Sequence, residues 1–216
     1  MLELFDVNYK LLSENKSKEL FSLRKDNFKD RLNWAVNCTD GMEFDQYDTD
    51  NTTYLFGVAH GKIICSVRFI ETKHPNMITG TFASYFDKID IPDGEYIESS
   101  RFFVDKKRAK EILNNKYPIT NILFFSMINY AIKNAYVGIY TIVSHPMLTI
   151  LKRSNWQLAI IEKGLSEKNE SIYLVYLPTD HENHNLLANK INNNNLFLMN
   201  TETQWPLSIS LIEKQV

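Results

Sequence analysis

Three groups of side chains stand out for the chemistry they can do. Arg24 and Phe28 lie four residues apart, which is one face if the segment is helical, and Trp34 follows where a polar stretch begins. An arginine beside aromatic rings can grip a ligand carboxylate while a ring meets a cation. A core phenylalanine with a snorkelling arginine gives the same pattern. The second group is acidic: Glu43, Asp45 and Asp48 in GMEFDQYDTD. Such carboxylates suit an ammonium, a sulfonium or a metal, or stay as solvated loop charge. Calcium fits poorly, because the glycine and closing glutamate of a calcium loop are misplaced. The third group sits in two apolar runs, with Arg68 in SVRF and Glu98, Ser100 and Arg101 in ESSRFF. A charge in an apolar strand needs a partner when buried. Plain alternation sets Glu98, Ser100 and Phe102 on one face and Ser99, Arg101 and Phe103 on the other, a division that a bulge would change.

More familiar chemistries find no footing. The sequence has no GxSxG, no Walker loop and no GxGxxG. His181 and His184 are three apart in a polar tail, where neither spacing nor burial supports a metal site. Cys38 and Cys65 form no CxxC pair, and Cys65 reads as a small core residue. A net charge of −2 gives no reason to expect nucleic acid. The first residues, MLELFDVNYK, lack the pattern of a signal peptide, and no apolar window is long enough to insert in a membrane. A cytoplasmic protein is expected.

The elements that must position these residues follow from periodicity. Leu2 to Val7 alternates as a short strand. A helix is expected from about Asn15 to Asp30, capped by Ser13 or Ser17. The acidic stretch from Asn33 to Thr53 is longer than an ordinary connection and fits a binding loop. Tyr54–Ala59 and Lys62–Glu71 make a hairpin about His60–Gly61. After another long segment come the strand Tyr96–Val104, a helix capped by Asp105, and an almost wholly apolar helix from about Ile119 to Asn134. Gly138–Ser144 is a strand, Pro146–Arg153 a short helix, and Trp156–Leu165 and Ser171–Leu177 are strands. The Asn-rich tail from His181 is expected to be loosely held. The 216 residues, 44% hydrophobic, suit a single domain from 1 to 216. The element order predicts an α/β three-layer sandwich, with a mostly antiparallel central sheet flanked by helices.

Taken in order, LRKDNF, LNW, EFDQYD, SVRF and ESSRFFVD resemble the acyl-homoserine-lactone synthases, or autoinducer synthases, over about residues 1 to 178. The resemblance implies a fold similar to the acetyltransferases that use coenzyme A. It implies acyl transfer from an acyl carrier protein to the amine of S-adenosylmethionine, then lactone closure with release of methylthioadenosine, making a quorum-sensing signal. No metal or cofactor is implied beyond S-adenosylmethionine as substrate. A coenzyme A-dependent acetyltransferase, or a binding module without turnover, is the alternative. Acetyltransferases seat a pyrophosphate in a Gly-rich turn between strand and helix. Here that junction reads RFFVDKKRAKEIL, with none of the seven glycines, which favours a carrier protein as donor.

On that resemblance Glu98 is the expected base, directly or through a water, with a backbone carbonyl as the alternative, and backbone N–H groups or the Ser100 hydroxyl are the expected donors to the oxyanion. Arg24, Phe28, Trp34, Asp45, Arg101 and Phe103 are expected to hold S-adenosylmethionine, with Asp48 and Arg68 paired as support. Phe124, Phe125, Met127, Tyr140, Thr141 and Ile142 are expected to line the acyl chain. Thr141 would favour a 3-oxo chain by donating to its keto oxygen. Lys152 and Arg153, then Lys106, Lys107 and Arg108, are expected to dock an acidic carrier.

Overall fold

The computed structural model describes residues 1–192, 196–198 and 204–211. In chain order the elements are β1 (Leu2–Asn8), α1 (Glu14–Arg24) running into a π-helical turn (Lys25–Arg31), the short β2 (Cys38–Thr39) and β3 (Met42–Glu43), β4 (Thr52–Ala59), β5 (Lys62–Glu71) and β6 (Tyr96–Val104). Then come α2 (Lys106–Leu113), α3 (Ile119–Lys133), β7 (Gly138–Ser144), α4 (His145–Arg153), β8 (Ala159–Leu165), β9 (Ser171–Pro178), α5 (His181–Asn192), β10 (Leu196–Leu198) and β11 (Leu207–Leu211). The central sheet runs β10-β11-β1-β4-β5-β6-β7-β9-β8. Each pairing in it is antiparallel except β6 with β7. The expected mostly antiparallel α/β sandwich is therefore what forms.

Local chemistry accounts for the element ends. Ser13 caps α1 by accepting from the Lys16 N–H. His60 and Gly61 both take positive φ, as a tight hairpin turn between twisted strands requires. Helix α3 is buried on nearly all sides, since it lies between the sheet and α5. α5 corrects one expectation. The Asn-rich stretch from His181 is a regular helix, with His184, Leu187 and Ile191 buried against the main core. The rest of the tail expectation, at 193–195, 199–203 and 212–216, lies outside the described residues. Trp156, expected to open a strand, instead sits buried before β8, its indole N–H donating to the Pro178 carbonyl at 2.9 Å.

Two irregularities shape the site. The first is the π-helical turn after Arg24, a widening that recurs at functional sites. The second is a bulge in β6. Ser66 pairs with Phe103 but Arg68 pairs with Ser100, so β6 carries one residue too many. Arg101 absorbs it with φ of 54°, a left-handed conformation that costs a side-chain-bearing residue about 1–2 kcal/mol. The bulge overturns plain alternation. Ser100 and Arg101 both reach the face of Arg68 and the acidic loop, while Phe102 turns to stack on Phe124 on the α3 side.

Candidate active site

The bulge, the π-turn and the acidic loop converge on one buried ionic cluster. Arg24 donates from Nε to Glu43 at 2.5 Å and from Nη1 to Asp48 at 2.7 Å. Arg68 donates from Nη1 to Asp45 at 2.6 Å and Asp48 at 3.0 Å, and from Nε to the Ser100 hydroxyl at 3.0 Å. Arg101 donates from Nη2 to Glu43 at 2.9 Å and Asp45 at 2.7 Å. Among the described residues its Nη1 donates to the Met77 sulfur alone, at 3.3 Å, and a thioether is a weak acceptor. The anchor of the network is Asp48. It also accepts from the Tyr54 hydroxyl at 2.6 Å and the Asp45 N–H at 2.8 Å.

These contacts set the ionisation states. Burial pushes the Asp48 carboxyl up, but Arg24 and Arg68 outweigh it and hold the group below the usual carboxylate range. Burial likewise opposes the charges of Arg24 and Arg68, and the surrounding carboxylates, Asp48 foremost, together more than compensate both. Glu98 is different. Burial raises it to about 7, and Arg68 and the Ser100 hydroxyl only partly offset this. Its Oε2 has no hydrogen-bond partner among the described residues. Arg101 is lowered by burial and by the neighbouring Arg24.

The cluster backs onto a cleft of about 920 Å³. β6 and β7 pair only from Tyr96–Gly138 to Ser99–Thr141, then part. β6 continues to pair with β5 as far as Val104, and β7 with β9 as far as Ser144. Each strand therefore turns one unpaired backbone edge into the cleft. One end of the cleft is polar and aromatic, with Trp34, Met77, Ser100 and Arg101; the other is apolar, with Phe124, Met127, Leu151 and Leu177.

The expected site residues divide on this geometry. Trp34, Ser100, Arg101, Phe103, Phe124, Met127, Thr141, Ile142 and Lys106 line the cleft. Phe28 lies just behind, its ring stacked on Trp34 at 5.1 Å and beneath the Arg101 guanidinium at 5.6 Å. Arg24 does not share a ring with Phe28, because the π-turn intervenes; its guanidinium sits 5.3 Å from the Phe21 ring. It is buried between Glu43 and Asp48 and is not among the residues that line the cleft, and its Nη2 has no hydrogen-bond partner among the described residues. Asp45 is the accessible carboxylate, with 16% side-chain exposure against 2% for Asp48. Asp48 and Arg68 do meet, as a pair within the larger network. Phe125 and Tyr140 are not in the cleft. Phe125 packs on His184 of α5, and Tyr140 faces the opposite layer with Tyr96 and Tyr176. On a helix apolar on every side, periodicity cannot tell Phe124 from Phe125.

Thr141 is buried in the cleft wall, and its hydroxyl donates to the Ser99 carbonyl at 2.9 Å. Lys107, Lys152 and Arg153 are exposed, whereas Arg108 is tied to Glu19 at 2.5 Å and to the Ile63 carbonyl at 3.1 Å. Arg108 is thus a clamp between α1 and α2, not a free docking charge. Sequence reasoning missed Met77, Tyr47 and Tyr54. Met77 and Tyr47 fall in segments without periodicity, and Tyr54 reads as an ordinary strand aromatic. No group of three or more histidine, cysteine or carboxylate side chains that could hold a metal occurs among the described residues. No helix among them is long and apolar enough to cross a membrane.

Comparison with known proteins bears on the family and the fold. A family model described as autoinducer synthase matches residues 8–187. An acyl-homoserine-lactone synthase of Pectobacterium carotovorum subsp. carotovorum is 66% identical over 209 residues, covering 97% of each chain. A coenzyme A-dependent acyl-homoserine lactone synthase, BjaI, solved with SAM and isopentyl-CoA, shares the fold at a TM-score of 0.77 and 18% identity, over 89% of this chain and 90% of that one. An acyl-CoA N-acyltransferase from Pseudomonas aeruginosa gives a TM-score of 0.55 at 12% identity, over 81% and 99% of the two chains.

Proposed function

This chain belongs to the autoinducer synthase family and is an acyl-homoserine-lactone synthase, an acyltransferase; we propose that it moves a 3-oxo acyl chain from an acyl carrier protein to the amine of S-adenosylmethionine, then closes the lactone and releases methylthioadenosine. The carrying observation is one cleft with a polar, aromatic end at Trp34, Met77 and Arg101 and an apolar end at Phe124, Met127 and Leu177. Two substrates of opposite character can meet where the strands part.

At the polar end Arg101 Nη1 takes the substrate carboxylate, because its other nitrogens are already held by Glu43 and Asp45. Asp45 faces the ammonium, and the Phe28–Trp34 stack faces the sulfonium or adenine. BjaI, of the same fold, has been solved with SAM, which supports that substrate here. Glu98 removes the proton from the attacking amine. A carboxylate near 7 is well matched to an α-amino group near 8. The amine nitrogen bonds to the thioester carbon, the C–S bond breaks, and the thiolate leaves to be protonated. Ser100 already accepts from Arg68 and lies against Glu98, so the unpaired N–H groups of the β6 edge are the better oxyanion donors. In the second step the carboxylate attacks its own γ-carbon and a neutral thioether departs. Being intramolecular, that step gains most from a folded methionine chain.

Two features support a carrier protein over coenzyme A. Asp105 Oδ1 occupies the first N–H groups of α2, accepting from Lys107 at 3.0 Å and Arg108 at 3.1 Å. A diphosphate arriving at that helix end would meet a carboxylate instead of free donors. Exposed Lys106 lines the cleft with Lys107 beside it in α2, and Lys152 and Arg153 are exposed at the end of α4, a set suited to an acidic partner. BjaI is described as coenzyme A-dependent, so the shared fold does not itself select the donor. A carrier and S-adenosylmethionine are both met in the cytoplasm, where we place the reaction.

The 3-oxo preference rests on Thr141. Its hydrogen already serves the Ser99 carbonyl, so a keto group competes with an existing acceptor and the net gain is on the order of 1 kcal/mol. Thr141→Val is expected to lower the ratio of kcat/KM for 3-oxo over unsubstituted donors several-fold, mainly through loss on the 3-oxo side. Steady-state kinetics on the two carrier-bound donors measure this. An unchanged ratio in an active variant would leave Thr141 as a strand residue only.

A further inference from the structure

We infer that Tyr47 is the positioning residue for the S-adenosylmethionine half of the reaction, an inference that rests on the reading above that Asp45 and Arg101 hold that substrate. Tyr47 sits behind the polar end of the cleft and touches both of its sides. On the acidic-loop side, its backbone N–H donates to Asp45 Oδ1 at 2.9 Å, the oxygen that Arg68 also grips. Its ring lies 5.8 Å from the Arg68 guanidinium, a cation–π contact with an arginine that has no exposure to solvent. The Tyr47 carbonyl accepts from the Thr52 hydroxyl at 2.5 Å, which ties the loop to the first residue of β4.

The other side is the segment that carries Met77. The Tyr47 hydroxyl accepts from the Thr81 N–H at 2.9 Å and lies 3.0 Å from the Thr81 hydroxyl. Its ring packs with Ile70 and Met77. A Cβ on Gly80 would fall 2.1 Å from that hydroxyl, so the chain keeps a glycine where the phenol must reach. Met77 in turn meets Arg101 and lines the cleft. One phenol thus fixes the distance between the carboxylate that faces the ammonium and the thioether beside the arginine that faces the carboxylate. Its contacts are with Asp45, Arg68, Thr52, Thr81, Ile70 and Met77, on the side of the acidic loop and the Met77 segment.

Tyr47 therefore acts on one substrate only. Tyr47→Phe keeps the ring, and with it the packing on Met77 and the contact with Arg68, but removes the tie to Thr81. We expect the KM for S-adenosylmethionine to rise five- to tenfold, the upper figure being about 1.4 kcal/mol. The KM for the acyl donor and kcat at saturating S-adenosylmethionine should stay within twofold. Thr179→Val is the control. It removes a similar bond, from the Thr179 hydroxyl to the Tyr136 carbonyl at 2.6 Å, between two residues that do not line the cleft, and should leave both KM values unchanged. If Tyr47→Phe fails to fold, Thr81→Val carries the test, with a two- to threefold rise confined to S-adenosylmethionine. Equal rises for both substrates, or none, overturn the inference. Calorimetry on the unaltered protein separates the two levels: no binding of S-adenosylmethionine overturns the reading of the site and this inference with it, whereas binding by the unaltered protein with an unchanged KM in the variant overturns the inference alone.

Discussion

Glu98→Gln is expected to lower kcat by about two to three orders of magnitude, the range for loss of a positioned general base, while making the protein more stable at pH 8. Both effects come from one fact. Burial holds the carboxyl at about 7 despite Arg68, so at pH 8 the enzyme carries a charge that its surroundings disfavour. The sign follows from linkage. A carboxyl raised in the fold binds its proton more tightly there than in the unfolded chain, so stability falls as pH rises from about 4.5 to about 7. Glutamine mimics the neutral form and should recover on the order of 1–3 kcal/mol at pH 8, and little at pH 5. Thermal unfolding at the two pH values measures this beside turnover. In the unaltered enzyme kcat should rise with pH through about 7, and that acid limb should vanish in the variant. Full activity in Glu98→Gln would move the base to a water or a backbone carbonyl.

The second large effect separates two aspartates that the sequence presents alike. Asp48→Ala should destabilise the fold by about 3–5 kcal/mol, because it leaves Arg24 and Arg68 buried with part of their charge uncompensated. For a chain of this length that is a fall in Tm of roughly 10 °C or more. Asp45→Ala should cost much less stability, since Asp45 is partly exposed, yet it should weaken S-adenosylmethionine binding at least as much as any other loop change. The pH dependence runs opposite to that of Glu98. Asp48 is held below its ordinary range, so its contribution is present above about pH 4 and is lost on acidification through the folded value. The gap in Tm between Asp48→Ala and the unaltered enzyme should therefore shrink as the pH is lowered. Equal Tm losses in the two variants would mean that both aspartates are structural.

Much of this arrangement was legible before the fold. Period-two runs mark the strands that carry Arg68 and Glu98, and Asp105 announces α2. What alternation could not supply is the bulge at Arg101. It depends on a left-handed residue that is not glycine, so no composition signal marks it. Without the bulge Arg101 faces away from Glu43 and the cluster does not close. Helix α5 was hidden for a different reason. Asparagine is a modest helix former, but His184, Leu187 and Ile191 make a stripe at helical spacing, and docking on α3 overrides propensity. Arg24 shows the limit for function. Its type and spacing suit a ligand clamp, and only the fold reveals that its Nε and Nη1 are bonded to Glu43 and Asp48 behind the cleft.

The central claim is the pair of coupled steps on carrier-borne acyl groups. Mass spectrometry of the purified enzyme, given S-adenosylmethionine and a 3-oxo-acyl carrier protein, tests it most directly. The account predicts acyl-homoserine lactone and methylthioadenosine in equal amounts, and far less of both when the same acyl group is offered on coenzyme A. Acylated product without methylthioadenosine, or faster turnover with the coenzyme A thioester, would contradict it.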